Sequence, residues 1–204
     1  MIEFIRRATA VPRRLGILPG TFNPPTRAHL ALARAAEKYV DEVLFVLPRE
    51  FPHKAYEGAS FEERIEMLDL AAADNPRFSI ASTERGLFID IARECRAVYG
   101  DAALSFLCGR DAAERIVNWD YDGDPDAFQK MLEVFDLRVA SRGGAYRPPR
   151  KMAHRIHALP VEAGYEEVSA TDVRERIARG DEWEHLVPEA ITPVIRRIYR
   201  PTNR

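Results

Sequence analysis

With 204 residues, 46% hydrophobic and 30% charged, the chain has the make-up of one globular core, not of a disordered, fibrous or disulfide-scaffold protein. No apolar run approaches the roughly 20 residues needed to span a bilayer, and a formal net charge of -2 gives no global attraction for nucleic acid or an acidic membrane. Any anionic ligand must therefore be held by a local cluster.

The opening "MIEFIRRATAVPRR" is basic and lacks the apolar stretch of a secretory signal; residues 1–12 read as an N-terminal extension. Apolar periodicity then alternates between strand and helix. "RLGILPG" is a strand and "RAHLALARAAEKYV" a helix; "DEVLFVLP" is a second strand, followed by the helix "SFEERIEMLDLAAAD", where Ser60 and Glu63 have capping-box spacing. "RFSIAS" is a third strand, "FIDIARECRAVYG" a helix stopped by Gly100, and "ALSFLCG" a fourth, very apolar strand. A helical stretch and an acidic loop come next, then the strands "DLRVAS" and "RIHALPV" and two closing helices, "SATDVRERIARG" and "PEAITPVIRRIYR".

Strands alternating with helices predict one α/β domain, a doubly wound and mostly parallel sheet with a core over about 13–200 and the C-terminal helices packed alongside. In such sheets ligands sit beyond the carboxyl ends of the strands, so each downstream loop is a candidate site. The two cysteines, Cys95 and Cys108, fall in a helical and a strand pattern without metal spacing, as expected of small buried hydrophobes in the cytoplasm.

The first loop, "GTFNPPTRAH", is neither a Walker A loop nor a GxGxxG fingerprint, yet it delivers a glycine turn to a helix N-terminus, an arrangement suited to phosphate. Thr26 is placed as the N-cap and His29 as the third helical residue on the same face. A charged imidazole there opposes the helix dipole by about 0.3–1 kcal/mol, a cost that reverses when an anion lies in front of it. The second loop brings His53 and Lys54 just past a strand end, and Lys54 has the reach to meet a phosphate. After the fourth strand, Gly109 allows close backbone approach, and Asp111 serves either as a helix-start residue or as an acceptor for ribose hydroxyls. Trp119 fits either a core rim or a stacking plate for an aromatic ring.

The acidic loop 120–126 fails as a calcium loop, because Pro125 stands where the turn glycine belongs and Met131 where the bidentate glutamate belongs. No metal site is expected from the protein's own side chains: His154 and His157 could share a helical face but lack a third ligand. In the last segment Ser169 and Asp172 have cap spacing, and Gly180 is a C-terminal stop. The same stretch could gather Ser169, Thr171 and Arg174 around a polyphosphate.

The order of these segments resembles the nucleotidyltransferase superfamily, and within it the nicotinate/nicotinamide mononucleotide adenylyltransferases. "GTFNPPTRAH" is similar to the threonine form of the family's first motif, "PHKAYEGASFEERIEMLDLA" to its Pro-His-Lys segment and following helix, and "FLCGRDAAERIVNW" to its Gly-x-Asp segment ending in tryptophan. "VASRGGAY" is similar to its arginine loop, and "VSATDVRERIARGDEWEHLVPEAITPVIRRIY" to its closing SSTxIR motif and Leu-Val-Pro helix. The similarity runs from about Leu15 to Tyr199.

The resemblance implies adenylyl transfer, in which the 5′-phosphate of a mononucleotide attacks the α-phosphate of ATP to give NAD or deamido-NAD plus pyrophosphate. It implies catalytic roles for His29, Lys54 and Arg174, and ATP contacts from Gly20, Thr21, Phe22, Thr26, His29, Gly109, Asp111, Ser169, Thr171 and Arg174. On the acceptor side it implies Thr21, Phe22, Asn23, Lys54, Phe88, Trp119 and Arg142, with magnesium carried mainly by the phosphates. The partners it implies are small-molecule nucleotides, with no nucleic acid and no membrane, and self-association stays open.

Several positions depart from the family pattern. Ala28 and Ala170 replace a glycine and a serine, and Arg110 stands where a small residue is usual, which predicts extra positive charge near the phosphates. "ERGLFIDIA" lacks the Ser-Tyr-Thr of bacterial relatives; Phe88 keeps an aromatic contact while Ile89 removes a hydroxyl. Two alternatives therefore stand beside the leading one: a nucleotidyltransferase for another phosphate acceptor, such as a pantetheine or sugar phosphate, and a non-catalytic nucleotide-binding sensor.

Overall fold

The structure, a computed structural model, describes residues 1–50, 58–121, 123–140, 146–165 and 168–200. The elements in chain order are β1 (Glu3–Arg6), β2 (Arg14–Pro19), α1 (Arg27–Ala36), β3 (Glu42–Glu50), α2 (Phe61–Ala71), β4 (Phe78–Arg85) and α3 (Phe88–Tyr99). They continue with β5 (Ala103–Gly109), α4 (Arg110–Val117), α5 (Ala127–Met131), β6 (Asp136–Ala140), β7 (Ile156–Leu159), α6 (Ala170–Arg179) and α7 (Thr192–Ile198).

Side chains along the inner strands alternate between two faces, and both faces are buried. Val43, Phe45 and Leu47 of β3 pack into one apolar cluster with α1, α2, α6 and α7, while Leu44 and Val46 join α3, α4 and α5 in the other. The strands form one sheet in the order β1-β4-β3-β2-β5-β6-β7, parallel except for β1, which runs antiparallel to β4. This is the doubly wound sheet that the alternation predicts. The chain steps outward from β2 to β3 and β4, then returns to the other side of β2 to lay down β5, β6 and β7. The strand order thus reverses between β2 and β5, and a crevice opens at such a point beyond the carboxyl ends.

Local chemistry sets the helix ends. Ser60 Oγ accepts from the Glu63 amide at 3.2 Å while Glu63 Oε2 accepts from the Ser60 amide at 2.8 Å, closing the expected box. Ser169 Oγ accepts from the Asp172 amide at 3.0 Å, and Gly180 ends α6 in the left-handed conformation (φ +77°) that glycine adopts without a Cβ clash.

Three segments differ from the sequence expectation. The N-terminal segment supplies β1, an edge strand in register with Ile80, Ala81 and Ser82. Helix α1 stops at Ala36 instead of reaching residue 40. The single closing helix predicted over 188–200 is a 3-10 turn, Glu189–Ile191, followed by α7, because Pro193 has no amide for an interior helical bond and fits only the first turn.

Candidate active site

The glycine-proline loop between β2 and α1 is shaped by what lies beneath it. Phe22 takes φ +47°, and its fully buried ring sits so close under Gly20 that a Cβ there would meet Cζ at 2.9 Å. That ring also meets His29 edge-on at 5.1 Å and Phe45 at 5.7 Å. The Asn23–Pro24 peptide bond is cis.

Thr26 is the N-cap of α1, and His29 takes the position that glutamate holds in an ordinary capping box. The Thr26 backbone N–H donates to His29 Nδ1 at 3.0 Å, and the Thr26 hydroxyl lies 2.8 Å from the same nitrogen. A ring nitrogen that accepts from an amide carries no proton of its own. The neutral imidazole is therefore the Nε2–H tautomer, which makes Nε2 a donor.

The loop is gripped from several elements. Arg64 of α2, only 3% exposed, donates through a terminal nitrogen to the Thr21 carbonyl at 3.1 Å. Arg174 of α6 donates to the Asn23 carbonyl at 2.6 Å. Asn23 Oδ1 accepts from the Ala59 amide at 3.4 Å and from the Tyr199 hydroxyl.

A cleft of about 550 Å³ lies at the carboxyl ends of β2 and β5, where the strand order reverses. Its walls bring together seven of the sequence-predicted residues: Gly20, Thr21, His29, Phe88, Gly109, Asp111 and Trp119. Phe88 spends one ring face on Phe106, stacked at 4.3 Å, and Trp119 is 47% exposed on the rim. Cys108 also lines the cleft; burial pushes its thiol up to about 12, so it stays protonated and is no nucleophile.

Other expected residues lie behind or beside that wall. Phe22, Asn23 and Thr26 are buried and support the loop from behind the cleft wall. Ser169 Oγ is taken by its cap, Thr171 Oγ1 accepts from Arg174 at 3.3 Å, and Arg174 also reaches the Ala170 carbonyl at 3.2 Å. The start of α6 thus abuts the loop instead of lining the cleft. Lys54 and Arg142, with His53, lie outside the described residues.

Arg110 departs from the expectation of free charge near the phosphates. Its Nε is paired with Glu114 at 2.7 Å, and it does not line the cleft. The arginine on the wall is Arg115, which the sequence reading passed over although it stands four residues after Asp111 and four before Trp119. Leu32, Leu87, Ile116, Tyr121 and Met131 complete the apolar lining. In the acidic loop, Asp124 pairs with Lys130 at 2.6 Å and Asp126 with Lys151 at 2.7 Å, so these carboxylates are held by lysines.

The cytidylyltransferase-like family model matches residues 17–176. The probable nicotinate-nucleotide adenylyltransferase of Moorella thermoacetica is 35% identical over 210 aligned positions, covering 93% of each chain. The protein of the same name from Exiguobacterium sibiricum is 30% identical, over 89% of this chain and 95% of its own. The chain belongs to the nicotinate-nucleotide adenylyltransferase family. Its fold is similar to that of the Plasmodium falciparum nicotinic acid mononucleotide adenylyltransferase solved with NaAD, with a TM-score of 0.67 over 90% of this chain and 95% of the other at 16% identity.

Family membership makes the chain a nucleotidyltransferase and accounts for the doubly wound architecture. The cleft gathers on its walls the first turn of α1 with the His29 imidazole, and the exposed Trp119.

Proposed function

We propose that the protein transfers the adenylyl group of ATP to the 5′-phosphate of nicotinate mononucleotide, forming deamido-NAD and pyrophosphate. The acceptor phosphate oxygen attacks the α-phosphorus in line, the bond to the bridging oxygen of pyrophosphate breaks, and no covalent enzyme intermediate forms. Positioning and charge stabilisation then carry the catalysis.

The observation that carries this reading is the tautomer of His29. With Nδ1 held by the Thr26 amide, Nε2–H is aimed as a fixed donor at the start of α1, where amides and helix dipole already favour an anion. The donor would stabilise charge developing on the α-phosphate and the leaving pyrophosphate. Loop amides at Gly20 and Thr21 would lie along the nucleotide, Gly109 and Asp111 would hold the adenosine ribose, and Trp119 would stack on the pyridine ring. Thr26 would act through His29 and Arg174 would set the loop through the Asn23 carbonyl, while contacts of Ser169, Thr171 and Arg174 with the outer phosphates are proposed on resemblance alone. Lys54 and Arg142 are proposed on resemblance alone.

Among the described residues no three His, Cys, Asp or Glu side chains gather as metal ligands, and Asp111 is the carboxylate on the cleft wall. That donor set suits magnesium carried on the phosphates and water, where it would neutralise charge on the departing pyrophosphate. Two buried, unpaired cysteines agree with a reducing cytoplasmic setting.

Pyrophosphate release with ATP, magnesium and nicotinate mononucleotide tests the reading, and turnover with deamido-NAD as product is expected. Turnover only with a pantetheine or sugar phosphate would replace the acceptor. ATP binding without chemistry for any acceptor would replace the enzyme with a sensor.

A further inference from the structure

Helix α4 carries two charged stripes that behave differently. Arg110 and Glu114, four residues apart, are ion-paired at 2.7 Å. Asp111 and Arg115 have the same spacing on the stripe that lines the cleft, and no ion pair joins them. The one side-chain hydrogen bond of Arg115 runs from Nε to the Asp111 carbonyl oxygen at 3.2 Å. It lays the side chain along its own helix and leaves both terminal nitrogens without a protein partner among the described residues. A guanidinium with both terminal nitrogens unspent on a ligand cleft is built to meet an anion in a forked geometry.

Its surroundings indicate which anion. Arg115 stands on the last turn of α4 and Trp119 two residues beyond the end of that helix, and both line the cleft. Across from them the turn from β4 into α3 presents Gly86, Leu87 and Phe88, which offer no hydroxyl and no charge from their side chains. Among the described lining residues, Arg115 is the permanent cation.

We propose that Arg115 is the specificity-determining residue for the acceptor. Its guanidinium reads the carboxylate on the pyridine ring and so selects nicotinate mononucleotide over the amide form. The inference rests on the adenylyl-transfer reading above, and it goes beyond that reading by assigning the choice of base to one side chain. Both acceptors carry the same phosphate and ribose. A charge at the ring substituent is what separates them.

The test compares kcat/KM for the nicotinate and nicotinamide mononucleotides in the wild type, Arg115→Gln and Arg115→Lys, with ATP and magnesium at two salt concentrations. The wild type should prefer the nicotinate form. Arg115→Gln should lower kcat/KM for that form by about 10- to 100-fold, through KM, as loss of a charge-assisted hydrogen bond requires. The amide form should change by less than roughly twofold, and Arg115→Lys should restore part of the preference. Added salt should shrink the wild-type preference and leave that of Arg115→Gln unmoved. Equal losses for both acceptors, an unchanged ratio, or a wild type that prefers the amide would each overturn the role of Arg115 while adenylyl transfer stands. A wild type that turns over neither acceptor would remove the reaction itself, and the role of Arg115 with it.

Discussion

The two walls of the cleft are built on opposite plans. The wall from β2 to α1 is gripped from behind: Arg64 holds the Thr21 carbonyl, Arg174 and Tyr199 hold Asn23, and the Thr26 amide holds His29. The wall from β5 to α4 carries Asp111, Arg115 and the half-exposed Trp119, and the carboxylate and the terminal guanidinium nitrogens make no hydrogen bond or ion pair with the described residues. The difference fits the work proposed for each wall. A donor that stabilises developing charge is effective only when its orientation is fixed before the reaction. A wall that recognises a ring and its substituent needs open donors and an accessible aromatic side chain, because a donor spent within the protein is unavailable to the ligand.

The largest effect expected on the gripped wall is at His29. His29→Ala should lower kcat by about 10²–10³, or roughly 2.7–4 kcal/mol, as for a lost oxyanion donor, and pyrophosphate release measures it. A kcat near wild type would mean that the Nε2 donor is not used in the transition state. Next comes Arg64→Met, which keeps the bulk of the stem and deletes the donors to Thr21 and Ser60. Stability should fall by about 1.5–3 kcal/mol, the range for hydrogen bonds to a charged group, read as a lower midpoint in urea. If Arg64→Met unfolds like the wild type, the loop is rigid without its clamp.

The two walls also differ in how much of them the sequence carries. Thr26 and His29 are legible because a capping box is a three-residue spacing, a purely local signal. The parallel strands are legible too, since burial on both faces leaves nearly continuous apolar runs. The clamps are not, because Arg64 meets Thr21 across 43 residues, Arg174 meets Asn23 across 151 and Tyr199 meets Asn23 across 176. No periodicity encodes such meetings; the topology of the sheet creates them. Edge strand β1 escapes for a related reason: "EFIR" is four residues long with half-buried and exposed positions, and its pairing with β4 is non-local. On the open wall the question was helix phase. Arg110 adjoins Gly109 in sequence, which invites a role at the site, but the cleft-lining side of α4 carries 111, 112, 115 and 116.

Smaller changes sharpen the contrast. Tyr199→Phe removes only the hydroxyl that donates to Asn23 Oδ1, while the Ala59 amide still donates there. The expected cost is about 1 kcal/mol of stability, seen in chemical denaturation, with KM for both substrates affected less than the midpoint. A loss several times larger would show that the C-terminal end of the chain alone sets the loop.

Trp119→Ala should have the smallest effect on folding and the clearest effect on binding. The ring is 47% exposed and belongs to neither apolar cluster, so stability should stay within about 0.5 kcal/mol. The same ring would supply a stacking face for the pyridine, worth about 0.5–1.5 kcal/mol between aromatic partners. The variant should therefore bind ATP normally in calorimetry and show a raised KM for the mononucleotide. A fall in the denaturation midpoint as large as that of Arg64→Met, with KM unmoved, would place Trp119 in the scaffold and collapse the distinction between the walls. The opposite pattern, a midpoint that holds while KM rises, separates a residue kept for the ligand from one kept for the fold.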